Sequence, residues 1–279
     1  MIWKTKTRQF DLGERALVMG ILNVTADSFS DGGRFIEQDA AVARALEMEA
    51  EGADIIDIGG ESTRPGAESV PEAEELARVL PVIEALAGRL KAAISVDTTK
   101  AAVARAALER GAEIINDITA LRGDPAMTEV AVKTGAGVIL MHMQGTPRTM
   151  QVAPHYEDVV GEVREFFRQS WGESLGWGVD PLRIAFDPGI GFGKSVEHNL
   201  ALLKRLGDLR VEGRPLVLGV SRKSFLGKLT NEMTIEQRLW PTVALTALGR
   251  ASGADVFRVH DVRPNVEALR VTEAVLGAC

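Results

Sequence analysis

Asn23, Asp97, Asn116, His142, Asp187 and His260 share a position: each stands at the C-terminal end of a short run rich in Ile, Val and Leu. Two further runs lead into Glu61-Ser62-Thr63-Arg64 and Ser221-Arg222-Lys223-Ser224, and the last run also carries Arg258. Any one of these polar groups could simply cap the helix that follows a strand, because Asn, Asp and Ser accept hydrogen bonds from the first N–H groups of a helix. A polar group at the end of every run is better explained by function. The residue types divide into two chemistries. Asp97, Asn116 and Asp187 offer acceptors and one amide donor, a set that suits a flat heterocycle with several N–H donors and ring acceptors. Arg64, Arg258, His260 and the backbone N–H groups near Lys223 offer positive potential, as a phosphate group needs. The residues alone point to a heterocycle bearing phosphate and leave its identity open.

Such a set works only if the fold brings the run ends together. The runs at 16–23, 55–58, 93–97, 114–116, 138–142, 184–187, 216–221 and 256–260 lack polar alternation, as parallel strands buried on both faces do. Amphipathic helical patterns such as 40–50, 73–90, 101–110, 156–175 and 235–251 lie between them. Eight β-then-α units in order predict a single-domain α/β fold, a (β/α)8 TIM barrel over residues 16–279, with an open doubly wound sheet as the alternative. Gly52-Ala53, Gly111-Ala112, Gly135-Ala136 and Gly253-Ala254 recur between a helix and the next strand. Glycine there supplies a left-handed residue that ends the helix, and alanine lets the chain turn closely into the barrel floor. Residues 1–15 form an extension, in which 3–14 are expected to make a hairpin under the barrel. In a barrel of this kind the active site lies where the strands end, at their C-terminal face.

Composition narrows the function. Among 279 residues, 32 basic side chains against 39 acidic give a net charge of −7, which argues against nucleic-acid binding. No apolar run approaches the roughly 20 residues of a membrane span, and residues 1–8 lack the apolar stretch of a signal peptide. The single cysteine, Cys279, cannot form an internal disulfide, so a cytoplasmic protein is expected. Three other patterns are weaker. Gly189-Ile190-Gly191-Phe192-Gly193-Lys194-Ser195 looks like a nucleotide phosphate loop, but Pro188 stands where its first glycine must be. His142 and His260 have no carboxylate or cysteine at ligand spacing, and His142 reads as a hydrogen-bonded core residue. Asp57 and Asp117 read as groups that orient neighbouring loops.

Several of these segments together resemble the dihydropteroate synthase family, over nearly the whole chain. Met19-Gly20-Ile21-Leu22-Asn23-Val24-Thr25, running on to Asp27-Ser28-Phe29-Ser30-Asp31-Gly32-Gly33, is similar to its first loop. Asp57-Ile58-Gly59-Gly60-Glu61-Ser62-Thr63-Arg64-Pro65-Gly66 is similar to its second, and Ser221-Arg222-Lys223-Ser224 to its seventh. Ser95-Val96-Asp97-Thr98, Asn116-Asp117-Ile118, Met141-His142-Met143-Gln144-Gly145, Asp187-Pro188-Gly189 and Arg258-Val259-His260-Asp261 match the rest.

The resemblance implies the same barrel and a transferase that forms a C–N bond. 6-Hydroxymethyl-7,8-dihydropterin pyrophosphate and p-aminobenzoate would give 7,8-dihydropteroate and pyrophosphate by an SN1-like displacement. It implies that Asp97, Asn116, Asp187 and Lys223 hold the pterin, and that Asn23, Thr63, Arg64, Arg258 and His260 hold the pyrophosphate. Magnesium would sit near Asn23 and Asp27, and Phe29, Pro65, Phe192 and Ser224 would frame the p-aminobenzoate. Asp97, Arg258, His260 and Lys223 would carry the catalysis. The family is a sulfonamide target, and the resemblance also implies a homodimer. The apolar stripe of Trp240, Val243, Leu245 and Leu248 is compatible with one, although such a stripe is more commonly helix-to-barrel packing. One departure stands in the first loop, where the family usually has proline and this chain has Ala26; alanine raises the entropy lost when the loop orders. The rival readings are a methyltetrahydrofolate-dependent methyltransferase, an inactive pterin-binding paralogue and a phosphosugar enzyme. The first is disfavoured by the seventh-loop residues and the absence of a cobalamin-binding domain. The last is disfavoured by the lack of a Lys or Glu placed for enolisation.

Overall fold

The computed structural model describes residues 1–24, 34–63, 66–231 and 234–278. Two short strands, β1 (Ile2–Lys4) and β2 (Gln9–Asp11), pair as an antiparallel hairpin. Eight strands follow: β3 (Leu17–Asn23), β4 (Ile55–Gly59), β5 (Ala93–Asp97), β6 (Ile114–Asp117), β7 (Gly137–Met141), β8 (Ile184–Asp187), β9 (Val217–Leu218) and β10 (Val256–Val259). They are all parallel, in the spatial order β8-β7-β6-β5-β4-β3-β10-β9, and a single bridge from Phe186 to Leu216 closes the ring. The outer helices are α1 (Arg34–Glu51), α2 (Glu72–Leu86), α3 (Ala101–Glu109), α4 (Met127–Thr134), α5 (Val159–Trp177), α6 (Val196–Lys204), α7 (Ser224–Thr230), α8 (Leu239–Ala251) and α9 (Val262–Leu276). The barrel expectation is therefore borne out and the open sheet excluded. Among the described residues no helix is long and apolar enough to cross a membrane.

The seventh barrel strand is much shorter than the run 216–221 suggests. Pro215 before it has no N–H to donate and Gly219 after it weakens strand pairing, so only Val217–Leu218 keep ladder geometry. The fifth strand ends one residue early, yet His142 still donates its N–H to the Asp187 carbonyl at 2.9 Å.

Side-chain alternation decides what fills the interior. Leu17, Met19, Ile55, Ala93, Ile114, Ile139, Ala185, Val217 and Val256 form an apolar floor inside the ring, joined by Trp3 and Leu12 from the N-terminal segment. Their neighbours, such as Val18, Ile56, Ile94, Ile115, Val138 and Phe257, pack outward against the helices. Because a strand alternates faces, two residues beyond each floor residue the chain points inward again. On five strands those positions are Asp57, Ser95, Asn116, Asp187 and Arg258, and on the other three they are Ile21, Met141 and Gly219. The same parity that buries the floor thus puts polar groups inside the mouth.

Trp3 is fully buried and donates its indole N–H to the Arg183 carbonyl at 2.9 Å, so the hairpin packs beneath the floor. The glycine–alanine device works as its spacing predicts. Gly52, Gly111, Gly135 and Gly253 have φ of +109°, +118°, +63° and +100°, and each following alanine is buried. The acids that come next add a function the pattern did not reveal. Asp54 accepts from the Val18 N–H at 2.9 Å, Asp255 accepts from the Leu216 N–H at 2.8 Å, and Glu113 accepts from Thr5, Thr7 and Arg8 of the hairpin.

The stripe on α8 does not pack as an ordinary barrel-facing stripe. Thr242, Thr246 and Gly249 face inward, whereas Trp240 is 70% and Leu248 53% exposed; Val243 and Leu245 are only half-buried. Small inward residues let α8 approach closely, since a Cβ on Gly249 would overlap Leu218. The large apolar side chains Trp240 and Leu248 are left on the outside, and Val271, Val275 and Leu276 of the neighbouring α9 are exposed as well.

Candidate active site

The centre of the mouth is a charged cluster. Arg258 donates from Nε to Asp57 Oδ2 and from Nη2 to Asp97 Oδ2, both at 2.6 Å. Asp57 is fully buried and also accepts from Asn116 Nδ2 at 3.0 Å. Three strands far apart in sequence are thereby locked through one carboxylate. Burial works against the Arg258 charge, but Asp57 and Asp97 outweigh it and hold its pKa above the usual guanidinium value. Burial lifts Asp97 to about 7 despite Arg258, helped by the negative charge of Asp57. Nη1 of Arg258 has no hydrogen-bond partner among the described residues, so the guanidinium can meet an anion while its other side stays anchored.

Beside this cluster lie Asp187, Lys223 and Phe192. Burial raises the Asp187 carboxyl, whose Oδ1 accepts from the Gly189 N–H at 2.7 Å. The Lys223 ammonium sits 4.1 Å from the centre of the Phe192 ring, a cation–π stack. Burial, with Arg258 nearby, pulls Lys223 down to about 8, while Asp187 and Asp97 oppose the shift. Phe192 packs with Ile118, Met141 and Met150, so one wall of the mouth is apolar. Lys223 is the N-cap of α7 and Ser224 begins that helix, exposed, as the sequence pattern places them.

His260 and the seventh loop are joined by Ser221, whose Oγ accepts from the His260 N–H at 3.1 Å and lies 3.0 Å from His260 Nδ1. Arg222, in the left-handed region at φ +56°, makes a two-pronged bond to Asp261 at 2.9 and 2.6 Å. It therefore ties the seventh loop to the eighth and does not face the mouth as a separate cation.

Asn23 ends β3 half-buried at the rim, opposite Gly59, and Thr63 stands in the second loop. Arg64, Pro65, Asp27 and Phe29 lie outside the described residues. A cavity of about 410 Å³ opens beside Asp97, lined by Ser62, Thr63, Thr98, Ile118 and Arg148 among others. Asp117 caps its own loop, accepting from Thr119 and Leu121, which agrees with the orienting role read from the sequence. Asp57 does orient, but its partners are the site residues Arg258 and Asn116 and not a neighbouring loop.

Other groups carried no local signal. Lys100 bridges Glu61 of the second loop to the buried Glu75 of α2, a link across three segments. Lys194, in the segment that looked like a phosphate loop, is buried and turned inward. Its ammonium lies 3.0 Å from His142 Nδ1 and from the Gly189 carbonyl, and 2.9 Å from the Phe192 carbonyl. Burial, then the Lys194 charge, pull His142 down to about 3, so the ring is neutral and Nδ1 accepts. Nucleotide phosphate binding by this lysine is excluded by its direction.

A profile of the family described as pterin binding enzyme matches residues 19–260, from the first barrel strand to the end of the eighth. The chain belongs to the pterin-binding enzyme family. Family members named dihydropteroate synthase include that of Synechocystis, 47% identical over 266 residues covering 95% of this chain and 92% of the relative. The Escherichia coli protein of that name is 49% identical over 261 residues, 94% of this chain and 92% of its own length. Solved structures of family members superpose closely. The Yersinia pestis dihydropteroate synthase with a sulfonamide drug complex gives a TM-score of 0.93 at 46% identity, covering 100% of both chains. The Xanthomonas albilineans enzyme in complex with 7,8-dihydropteroate gives 0.90 at 43% identity, again over 100% of each chain.

Proposed function

We infer that this chain is a dihydropteroate synthase, a transferase that joins 6-hydroxymethyl-7,8-dihydropterin pyrophosphate to p-aminobenzoate and releases pyrophosphate. The observation that carries the reading is the division of the mouth. Acceptors Asp97, Asn116 and Asp187 converge at the barrel centre, with an anchored guanidinium on one side and the Lys223–Phe192 stack on the other. Together they provide for a polar heterocycle, an anionic leaving group and an aromatic acid.

An aromatic amine is a weak nucleophile, so the carbon–oxygen bond of the pyrophosphate breaks early. The resulting cation is delocalised into the dihydropterin; the amine nitrogen then bonds to the carbon and loses a proton. The residues stabilise separated charge and supply no nucleophile of their own. Asp97 and Asp187 favour the pterin cation, and Asn116 reads its ring edge. Arg258, His260, Asn23 and Thr63, with Arg64, hold the pyrophosphate. Phe192 and Ser224, with Phe29 and Pro65, frame the p-aminobenzoate, and Lys223 serves both substrates.

Magnesium fits as a partner of the substrate and not of a dedicated protein cage. No group of three or more His, Cys, Asp or Glu side chains that could hold an ion occurs among the described residues, while Asn23 offers one amide oxygen at the rim. A hard cation bound by one or two protein oxygens and by phosphate is the usual magnesium arrangement. Asn23 and Asp27 would hold it, and it would supply positive charge to the leaving group.

The purified chain, mixed with both substrates and magnesium, is expected to form dihydropteroate and pyrophosphate in equal amounts, and a chelator to stop both. Pterin binding without product would make the chain a binding paralogue. The cytoplasm is the proposed compartment, supported by the lone cysteine.

The homodimer is supported by the outward apolar face of α8 and α9, where Trp240, Leu248, Val271 and Val275 are all more than half exposed. Single exposed apolar residues are ordinary, but four on two helices packed against each other are what a subunit interface would cover. Sedimentation of the wild-type chain should give a dimer, and Trp240→Arg with Leu248→Glu a monomer of unchanged helix content. A monomeric wild type would remove this part of the reading.

A further inference from the structure

Lys194 belongs to the motif that promised phosphate binding and does not deliver it. The residue is 3% exposed, and its ammonium is surrounded by three backbone carbonyls, of Gly189, Phe192 and His142, together with His142 Nδ1. No carboxylate lies within ion-pair distance of it among the described residues. A buried charge of this kind is costly: burial, with Lys223 nearby, pulls Lys194 down to about 7, while Asp187 and the surrounding carbonyls favour the ammonium, and an apolar side chain of the same length would remove the cost. Its retention needs a reason beyond packing.

The reason lies in the backbone around it. Gly189, Gly191 and Gly193 all have positive φ, +62°, +82° and +59°, and the loop curls so that its carbonyls converge on one point. A Cβ on Gly189 would overlap the His142 carbonyl oxygen, and one on Gly193 the Gln144 carbonyl oxygen. The sixth loop is thus pressed against the fifth, with carbonyls that repel one another unless a cation sits among them. Outside this centre, Gln151 donates to the Gly191 carbonyl at 2.7 Å and Tyr156 to the Gly193 carbonyl at 2.9 Å.

We propose that Lys194 is a positioning residue: its ammonium acts as the internal cation that folds the sixth loop and so holds Phe192 beneath Lys223. Gln151, Asn199 and Tyr156 hold Gly191 and Gly193 on either side, whereas the Phe192 carbonyl itself is held by Lys194. Phe192 follows Gly191, whose missing Cβ leaves room for the Lys223 stem at 3.3 Å, and its own carbonyl is the closest of those that Lys194 binds. Asp187 is different, because it belongs to β8 and the barrel ladder fixes it. Lys194 therefore governs the aromatic-acid side of the site more than the pterin side.

This rests on the function proposed above, and the test separates the two. Lys194→Met keeps the length and removes the cation. It is expected to raise the KM for p-aminobenzoate about tenfold, the scale of lost hydrogen bonds to a charged group, while the KM for the dihydropterin pyrophosphate stays within about twofold. Lys194→Gln, which keeps two N–H donors, should fall between wild type and Lys194→Met, and it decides the matter in the same way if the methionine variant does not fold. A fall in kcat with both KM values unchanged would mean that Lys194 only stabilises the fold. Equal rises in both KM values would mean that it does not act on one subsite. Either overturns the proposal. Failure of the wild type itself to use p-aminobenzoate would instead overturn the functional reading.

Discussion

Arg258→Ala is expected to lower kcat/KM by about a hundredfold or more, the usual scale for removing one electrostatic donor at a developing charge. Two losses combine. The guanidinium group that can face the pyrophosphate disappears, and so does the cation that separates Asp57 from Asp97. Without it the two carboxylates face each other in a buried layer, and Asp97, already lifted to about 7, rises further and becomes neutral near physiological pH. A neutral Asp97 no longer favours the pterin cation. Arg258→Lys tests the geometry apart from the charge. An ammonium cannot bond Asp57 and Asp97 in the fork that Nε and Nη2 make, so lysine should recover only part of the loss. Steady-state kinetics with both substrates, beside pyrophosphate inhibition, would measure this. Near-normal turnover in the alanine variant would show that the pyrophosphate is held elsewhere.

Much of the site was legible because one strand period fixes it. Asp97, Asn116, Asp187 and Arg258 each stand two or four places past a floor side chain of their own strand, so they had to face the same interior. Asp57 obeys the same parity, two places past Ile55, and so faces Arg258 and Asn116 inside the ring and not a neighbouring loop. Other features have no local signature. The Lys100 link joins Glu61 and Glu75 from different βα units, and nothing in any one segment announces it. The direction of Lys194 depends on where the His142 carbonyl lies, a contact between the fifth and sixth loops. The outward face of α8 also escapes periodicity, because Thr242, Thr246 and Gly249 form the buried side by being small and not by being apolar. A hydrophobic stripe predicts burial but does not say against what.

Asp57→Asn should cost between about tenfold and a hundredfold in kcat/KM, the range set by losing charge-assisted hydrogen bonds to a buried partner. Asparagine keeps the shape and one acceptor oxygen, so Arg258 and Asn116 compete for a weaker partner and both lose orientation. The more telling effect is on pH dependence. Burial raises Asp97 first of all, Arg258 opposes that, and the Asp57 charge adds to the rise. In the wild type the acidic limb of kcat/KM is expected near pH 7, where the cluster that contains Asp97 loses its proton. Removing the Asp57 charge lets Asp97 ionise more easily and leaves Arg258 to pair with it alone. Both changes act in the same direction, so the acidic limb should move to lower pH in the variant even as the maximum falls. Substrate ionisation is common to both profiles and cancels in the comparison. An acidic limb that stays in place would show that Asp97 is not the group whose ionisation turnover requires. A limb that moves upward would show that Asp57 supports Asp97 chiefly by holding Arg258 against it.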